Sequence, residues 1–384
     1  MHTVRIREGG VTLDAHTSKG DVSKKLPVFY NPAMALNRDV CVLLLRCLGK
    51  KGLSAADILA GTGVRSLRLT AELPKGTLRH LVVNDANPLF PTQFGNALKQ
   101  NKLPTTGIDI HNQDANLLLE QSEGFDYIDI DPFGSPNPFI DAATRHLARD
   151  GILALTATDT AALAGTSPAA CRRKYWAQPL RNHLMHEVSL RILARKAQLV
   201  AAQYEKALTP IFCHATLHYT RLYLRCEKSK EAVDDVLQHH KWLAFDRKTH
   251  AIALRDTNAA EKDEIIAGPL WAGPLWDTAL ARKMALLARS ANNGRSNGIM
   301  ENGRGKGIME ETCRLLETIA GEAQVDVPGF YDLHEYASMK KRDSKGLDDV
   351  MHAIKKSGYR AARTHFTQCG IRTDAPMLIL KKIL

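Results

Sequence analysis

Asp126-Tyr127-Ile128-Asp129-Ile130-Asp131-Pro132-Phe133-Gly134-Ser135-Pro136-Asn137-Pro138-Phe139 reads as a short apolar strand that runs into a carboxylate and stops at a Pro-Phe-Gly turn. A run of this length bounded by proline and glycine fits a central strand of a parallel sheet. Open α/β sheets take their ligands at the carboxyl ends of the strands. Asp131 therefore stands where chemistry is expected, with Pro132 fixing the backbone beside it and Phe133 offering a ring face. Taken alone, Asp-Pro-Phe-Gly is also an ordinary strand-ending turn, in which proline presets φ, glycine allows tight geometry and aspartate bonds its own backbone. The rest of the chain decides between the two.

Upstream, Leu53 to Asp57 reads as a strand, Gly61-Thr62-Gly63 as a turn and Ser66–Ala71 as a helix. The glycines let the backbone approach a ligand, and the turn feeds a helix N-terminus. A Gly-x-Gly by itself is weak, and it is ambiguous with a dinucleotide fingerprint in which Ser66 takes the third glycine's place. The next strand, Leu81 to Asp85, ends in an acid about 20 residues beyond the glycines, the spacing of a ribose-binding carboxylate. A further strand from Gly107 ends in Asp114-Ala115, placed to meet an adenine amino group and ring. Any one of these acids could be a loop residue in solvent. Several strands in series, each ending in an acid at one sheet edge, point to a ligand-binding edge instead.

The alternation continues with a helix over Asp141–Leu147, a strand over Gly151–Thr158 and a helix over His186–Ala202 with Glu187 and Arg191 at i, i+4. Ile211–Ala215 and Tyr219–Glu227 read as the closing pair of strands. The pattern implies a doubly wound α/β sheet. Thr166–Tyr175 reads as a basic loop facing either phosphates or solvent. Arg5–Leu13 reads as a peripheral hairpin. Phe29 and Tyr30 precede a helix over Cys41–Leu48 with Asn37 as its N-cap, and could equally be core residues.

At 384 residues the chain has room for two domains. No apolar run approaches the roughly 20 residues of a membrane span, and Met1-His2-Thr3-Val4-Arg5 does not begin a signal peptide. The seven cysteines form no Cys-x-x-Cys pair, so reduced thiols and a cytoplasmic location are expected. A net charge of +11 favours a polyanionic partner. Beyond about residue 228 the composition becomes more polar and a second domain is expected. It holds a hairpin over Trp242–Leu254, a doubled tryptophan turn over Gly268–Trp276, helices, and a tandem duplication, Asn293–Glu301 and Asn302–Glu310, in which seven of nine positions repeat. Two copies cannot form a solenoid. Near the end, Gly358–Phe366 and Gly370–Pro376 interleave basic and aromatic residues, as an RNA surface or a solvated charged face would.

The Asp57-x-x-x-Gly61-x-Gly63 junction resembles the cofactor loop of class I methyltransferases, and Asp131-Pro132-Phe133 resembles the first three positions of the tetrad of amino-group methyltransferases. Over most of its length the chain resembles the archaeal-type tRNA (guanine-26 N2)-dimethyltransferase family. The supporting stretches are Phe29-Tyr30-Asn31-Pro32-x-Met34, Asp131-Pro-Phe-Gly-Ser-Pro136, Cys171-x-x-Lys174-Tyr175, Gly268-Pro-Leu-Trp271-x-Gly-Pro-Leu-Trp276, Tyr331-Asp-Leu-His334 and Arg363-Thr-His-Phe366. The resemblance implies an α/β class I methyltransferase with a Rossmann-like sheet and a smaller C-terminal α+β domain. Residues 1–228 would form the methyltransferase domain and 229–384 a tRNA-binding domain, with 292–310 a mobile insertion. It implies S-adenosyl-L-methionine as cofactor, held by Arg38, Gly61, Arg65, Asp85, Asp114 and Ala115. Asp131 would be the catalytic acid, with Phe29, Pro132 and Phe133 against the base. The expected partner is tRNA, and the chain is expected to act as a monomer. Many members carry paired cysteines before Gly-Pro-x-Trp, whereas Asp246–Ala267 has none, so no metal is expected.

The chemistry is coherent with those residues. A guanine N2 lone pair is delocalised into the ring, so orientation and charge placement would carry most of the catalysis. The rival expectations are an amino-group methyltransferase acting on another RNA or DNA base, and a non-catalytic RNA-binding protein on the same scaffold.

Overall fold

The structure is a computed structural model that describes residues 2–17, 30–216, 218–292, 306–340 and 345–384. Phe29, the Asn293–Glu301 copy of the duplication and residues 341–344 lie outside the described residues.

By compactness the chain falls into two units, each assembled from separated stretches: residues 1–132, 138–155 and 283–316, and residues 133–137, 156–282 and 317–384. The strands of the first are β1 (His2–Glu8), β2 (Val11–Thr17), β3 (Leu53–Asp57), β4 (Leu78–Asn84), β5 (Ile108–His111), β6 (Phe125–Ile130) and most of β7 (Leu147–Ala157). Its helices are α1 (Ala35–Leu48), α2 (Val64–Glu72), α3 (Phe90–Gln100), α4 (Ala115–Glu120) and α5 (Asn137–Arg145), the last beginning at the division. β5, β4, β3, β6 and β7 run parallel in that order, which requires the helical crossovers that the alternating sequence implies. Every residue of β3 is buried, as are Tyr127, Ile128, Asp129 and Ile130 of β6. Central strands covered on both faces read as such continuous runs. Burying each isoleucine contributes about 1.5–3 kcal/mol.

The N-terminal hairpin is more than peripheral. Ile6 and Glu8 on β1 and Val11 and Leu13 on β2 are buried, the period-two pattern of a hairpin with one face covered. β2 packs on α2 and α3. The helix after Asn31 also starts earlier than the sequence suggests. Asn31, not Asn37, caps the turn Pro32–Met34, its Oδ1 accepting from the Ala33 amide at 3.0 Å, and α1 follows directly. Asn37 is fully buried inside α1.

The second unit contains the antiparallel pair β8 (Lys206–Ala215) and β9 (Thr220–Lys228), which close the seven-stranded order β5-β4-β3-β6-β7-β9-β8. Beside them are α6 (Thr160–Leu163), α7 (Pro168–Tyr175), α8 (Met185–Ala202) and α9 (Lys230–Gln238). The stretch expected as a basic loop is thus mostly α7. Pro168 suits a first helical turn, and Arg172, Arg173 and Lys174 sit in the last turn, where cations complement the helix dipole. β10 (His240–Asp246) pairs with β11 (Ile252–Arg255), the expected hairpin, and with β12 (Glu264–Trp271). Half of the expected tryptophan turn is therefore strand. The helices α10 (Thr278–Asn292) and α11 (Lys306–Glu322) cross the division between the units. The strands β13 (Tyr331–Asp332), β14 (Ala361–Arg363) and β15 (Gly370–Thr373) form a small sheet in the order β13-β15-β14, with α12 (Leu333–Lys340), α13 (Leu347–Lys356) and α14 (Met377–Ile383) beside it.

Candidate active site

In the first unit the loops after β3, β4, β5 and β6 lie at the carboxyl edge of the parallel strands. After β3 the chain turns through Gly61 and Gly63, with φ of 59° and 72°, backbone that L side chains rarely adopt. Gly63 precedes α2, and a Cβ there would lie 2.2 Å from the Phe94 ring. Asp85 follows β4, and its Oδ2 accepts the Gly61 amide at 2.7 Å while its Oδ1 accepts from Asn87 at 2.9 Å. Asp114 follows β5 and caps α4, its Oδ1 accepting from the Asn116 and Leu117 amides at 2.9 and 3.0 Å. Ala115, the first residue of that helix, is buried.

After β6, Asp131 accepts from the Arg65 guanidinium in an ion pair. Arg65 is 4% exposed. Its Nη1 donates to Asn37 Oδ1 at 3.1 Å, and its Nε lies 3.5 Å from Asp129 Oδ2. Asp129 accepts from the Tyr127 hydroxyl at 2.5 Å. Asp57 accepts from Ser66 Oγ at 2.7 Å. Burial, and then the neighbouring Asp129, push the Asp57 carboxyl up against the opposing pull of Arg65 and Ser66. One guanidinium thus serves several carboxyl groups, and the one at the mouth, Asp131, has a side chain 19% exposed. An acid so held is an oriented hydrogen-bond acceptor.

Arg38 lies one turn from the start of α1 in a different network. Its Nε and Nη2 donate to Glu8 Oε1 and Oε2 at 2.7 and 2.5 Å, and Nη2 also donates to the Asn31 carbonyl at 3.1 Å. Tyr30 donates its hydroxyl to Glu8 at 2.8 Å, and its ring lies 5.3 Å from the Arg38 guanidinium. Arg68 pairs with Glu8, Asp39 and Glu72. Burial alone would raise the Glu8 carboxyl, but Arg38, Arg68 and the Tyr30 hydroxyl outweigh it and hold it at about 2.

In the second unit, Phe133–Asn137 forms a pinned loop. The Gly134 amide donates to Thr158 Oγ1 at 2.6 Å, and the Thr158 amide donates back to the Gly134 carbonyl at 2.9 Å. The Tyr175 hydroxyl donates to Asp159 at 2.6 Å, which leaves it to accept from Ser135 Oγ at 2.9 Å. Asn137 donates to the Lys174 carbonyl at 2.8 Å. On this anchored loop the Phe133 side chain is 51% exposed.

The N2,N2-dimethylguanosine tRNA methyltransferase family model matches residues 4–384. The chain belongs to this family. It is 35% identical, over 97% of its own length and 96% of the relative's, to the tRNA (guanine(26)-N(2))-dimethyltransferase of Methanocaldococcus jannaschii. It is 36% identical, over 92% of its length and 88% of the relative's, to the tRNA (guanine(26)-N(2)/guanine(27)-N(2))-dimethyltransferase of Aquifex aeolicus. A solved structure of Trm1 from Pyrococcus horikoshii with S-adenosyl-L-methionine superposes with a TM-score of 0.86 at 33% identity, covering 99% of each chain. The family's α/β methyltransferase fold is the one described above, and its cofactor is S-adenosyl-L-methionine. No described helix is long and apolar enough to cross a membrane. Among the described residues no group of His, Cys, Asp or Glu is arranged to hold a metal ion.

Several residues that build the family's strand-end edge carry no sequence signal of their own. Asn84 is fully buried, and its Nδ2 donates to the carbonyls of Ile58 and Gln113 at 3.0 and 3.1 Å, tying three strand ends together. An apolar strand that ends in a buried amide just before its acid is the one cue that could have singled it out. Tyr175 does the same for the Phe133 loop from 40 residues away. The Thr364-His365-Phe366 stretch is not a surface cluster. Thr364 and Arg372 are buried, and the His365 side chain is 1% exposed. Glu322 accepts from Thr364 Oγ1 at 2.5 Å, from His365 Nδ1 at 2.6 Å and from Arg372 Nε at 3.0 Å, while Arg372 Nη2 also donates to Glu187 at 2.7 Å. The exposed cations of that region, Arg360 and Arg363, pair with Asp374 and Asp348.

Proposed function

We propose that the chain transfers methyl groups from S-adenosyl-L-methionine to the exocyclic N2 of guanine-26 in tRNA, giving N2-methyl- and then N2,N2-dimethylguanosine. The observation that carries the reading is Asp131, fixed by buried Arg65 at the end of β6, in a chain that matches the family over nearly its whole length. The edge fits the cofactor. Gly61 and Gly63 both hold positive φ, a side chain at Gly63 would collide with Phe94, and Asp85 and Asp114 stand after the next two strands. Arg38, Gly61, Arg65, Asp85, Asp114 and Ala115 would hold it, Arg38 from the first turn of α1, where Glu8 fixes its guanidinium. When bound there, S-adenosyl-L-methionine would supply an electrophilic methyl group, its S–CH3 bond breaking as the thioether S-adenosyl-L-homocysteine departs.

The chain's own part is to position and to accept protons. Asp131 and the Pro132 carbonyl accept the two N–H bonds of the guanine amine, which turns its lone pair outward. As the N–C bond forms, the proton leaves N2 for the Asp131 carboxylate and then for solvent. The monomethylated amine has one N–H left, so in the second round Asp131 accepts it and the first methyl group lies toward Pro132. Extruding a base from a folded tRNA costs a few kcal/mol, and stacking on the two rings assigned to the base, Phe29 and Phe133, would offset about 1–3 kcal/mol of it. The residues from 229 onward would carry the tRNA body. The protein is proposed to work as a monomer in the cytoplasm.

The test is to incubate the protein with unmodified tRNA and labelled S-adenosyl-L-methionine, then to digest and identify the nucleoside and its position. N2,N2-dimethylguanosine at position 26 supports the reading, and additional label at 27 would extend it. Label on another base or on protein would overturn it.

A further inference from the structure

We propose that a cleft in the second unit, between the end of α7 and the sheet of β10 and β12, is a second nucleotide-binding site that takes an unpaired residue of the tRNA by stacking. This rests on the RNA-substrate reading above. The cleft has a volume of about 490 Å³ and is lined by Trp176, Trp242, Arg172, Gln178 and Asn258 among others, none of them acidic. Trp176 is 52% exposed, an unusual state for so large an apolar ring. It is also held in left-handed backbone, with φ of 56°, which a bulky residue adopts only under constraint. That constraint is visible. The Trp176 amide donates to the Arg172 carbonyl at 3.1 Å, and Gln178 exchanges two backbone hydrogen bonds of 2.6 and 2.7 Å with Gly268.

The ring is polarised as well as fixed. Lys196 Nζ lies 2.9 Å from the Trp176 ring centroid, so one face is occupied by a cation while the ring still borders the cleft. Arg172 Nη1 donates to Gln178 Oε1 at 2.7 Å, which places a guanidinium and an amide together in the wall. Indole surfaces supply a sequence-tolerant platform for a base, amides can meet a base edge, and the Arg172 guanidinium suits the attached phosphate. The stiff floor means that the ring need not be ordered on binding, so little is lost when a base docks.

The experiment compares wild type, Trp176→Ala, Trp176→Phe and Asn258→Asp in tRNA affinity, in KM and kcat for tRNA, and in S-adenosyl-L-methionine affinity. Loss of one stacking contact is expected to raise the KM and Kd for tRNA about 10-fold in Trp176→Ala, with kcat and cofactor affinity unchanged. Trp176→Phe should retain most of the affinity. Asn258 is exposed, so Asn258→Asp should fold normally and, by adding a negative charge, weaken tRNA several-fold even where Trp176→Ala does not fold. Ultraviolet crosslinking of wild type to tRNA should then map to Trp176 or Trp242. Unchanged tRNA KM in both Trp176→Ala and Asn258→Asp, in a wild type that methylates tRNA, overturns the proposal. A wild type that neither binds nor methylates tRNA would instead overturn the function on which it rests.

Discussion

Replacing Asp131 with asparagine separates chemistry from architecture. The substitution keeps size and one acceptor oxygen but removes the charge that faces Arg65. A hydrogen bond to a charged group contributes about 1.5–3 kcal/mol, and asparagine retains part of it. Arg65 would still donate to Asn37 at 3.1 Å and lie 3.5 Å from Asp129, so no buried cation is stranded. Asp131 also adds to the repulsion around Asp57, and removing it relieves that strain. The expected stability loss is therefore about 1 kcal/mol or less, and S-adenosyl-L-methionine should bind as before. The amine, however, loses its anionic acceptor, and single-turnover methylation at saturating tRNA and cofactor should fall about 10²–10⁴-fold. Quantifying methylated nucleosides against time, beside a cofactor titration and a thermal melt, checks each part. A rate within threefold of wild type, or lost cofactor binding with the rate preserved, would refute the role given to Asp131.

Three further outcomes are expected. Gly63→Ala should abolish measurable cofactor binding and lower the melting temperature, because φ is 72° and the new Cβ would meet Phe94 at 2.2 Å; cofactor titration and calorimetry read both. Tyr175→Phe removes the hydroxyl that joins Ser135 to Asp159, so kcat/KM for tRNA should drop about 5-fold or more while cofactor affinity holds, as steady-state kinetics would report. Glu8 and Glu187 are each held at about 2, below the 4.5 of a free glutamate. Their stabilisation is complete above about pH 4.5 and is lost as the pH falls toward 2. It amounts to about 3 kcal/mol each. Denaturant titrations between pH 6 and 3 should show that slope, and Glu8→Gln should flatten it while lowering stability at neutral pH by about 3–5 kcal/mol, since Arg38 and Arg68 lose a buried partner.

The sheet and its ligand edge were legible because they obey local rules. Apolar runs of strand length ended in Asp85, Asp114 and Asp131, and glycines marked the turn after β3. What stayed hidden depends on pairings distant in sequence. Glu8 meets Arg38 and Arg68 only once the hairpin folds onto α2, so nothing near Arg38 announces its partner. Asn37 looked like a cap because capping chemistry and buried amide chemistry use the same side chain. α7 was masked by its three cations, which read as a loop until their place in a last helical turn is seen. His365 and Arg372 looked like RNA-facing residues for the same reason, since composition cannot tell a solvated charge from one matched by a buried acid. The two compact units interleave along the chain, which no composition shift reports.

The ion cluster of Glu187, Glu322 and Arg372 has a bearing on biosynthesis. The carboxylate of α8 is made 185 residues before the guanidinium that balances it. During translation, Glu187 and then Glu322 emerge with only part of their counter-charge, and burying them then leaves an anion short of its partner. The second unit can therefore lock only after β15 has left the ribosome. A chain that stopped short of Arg372 would carry every strand-end acid of the methyl-transfer edge and still leave Glu187 and Glu322 without the cation they share.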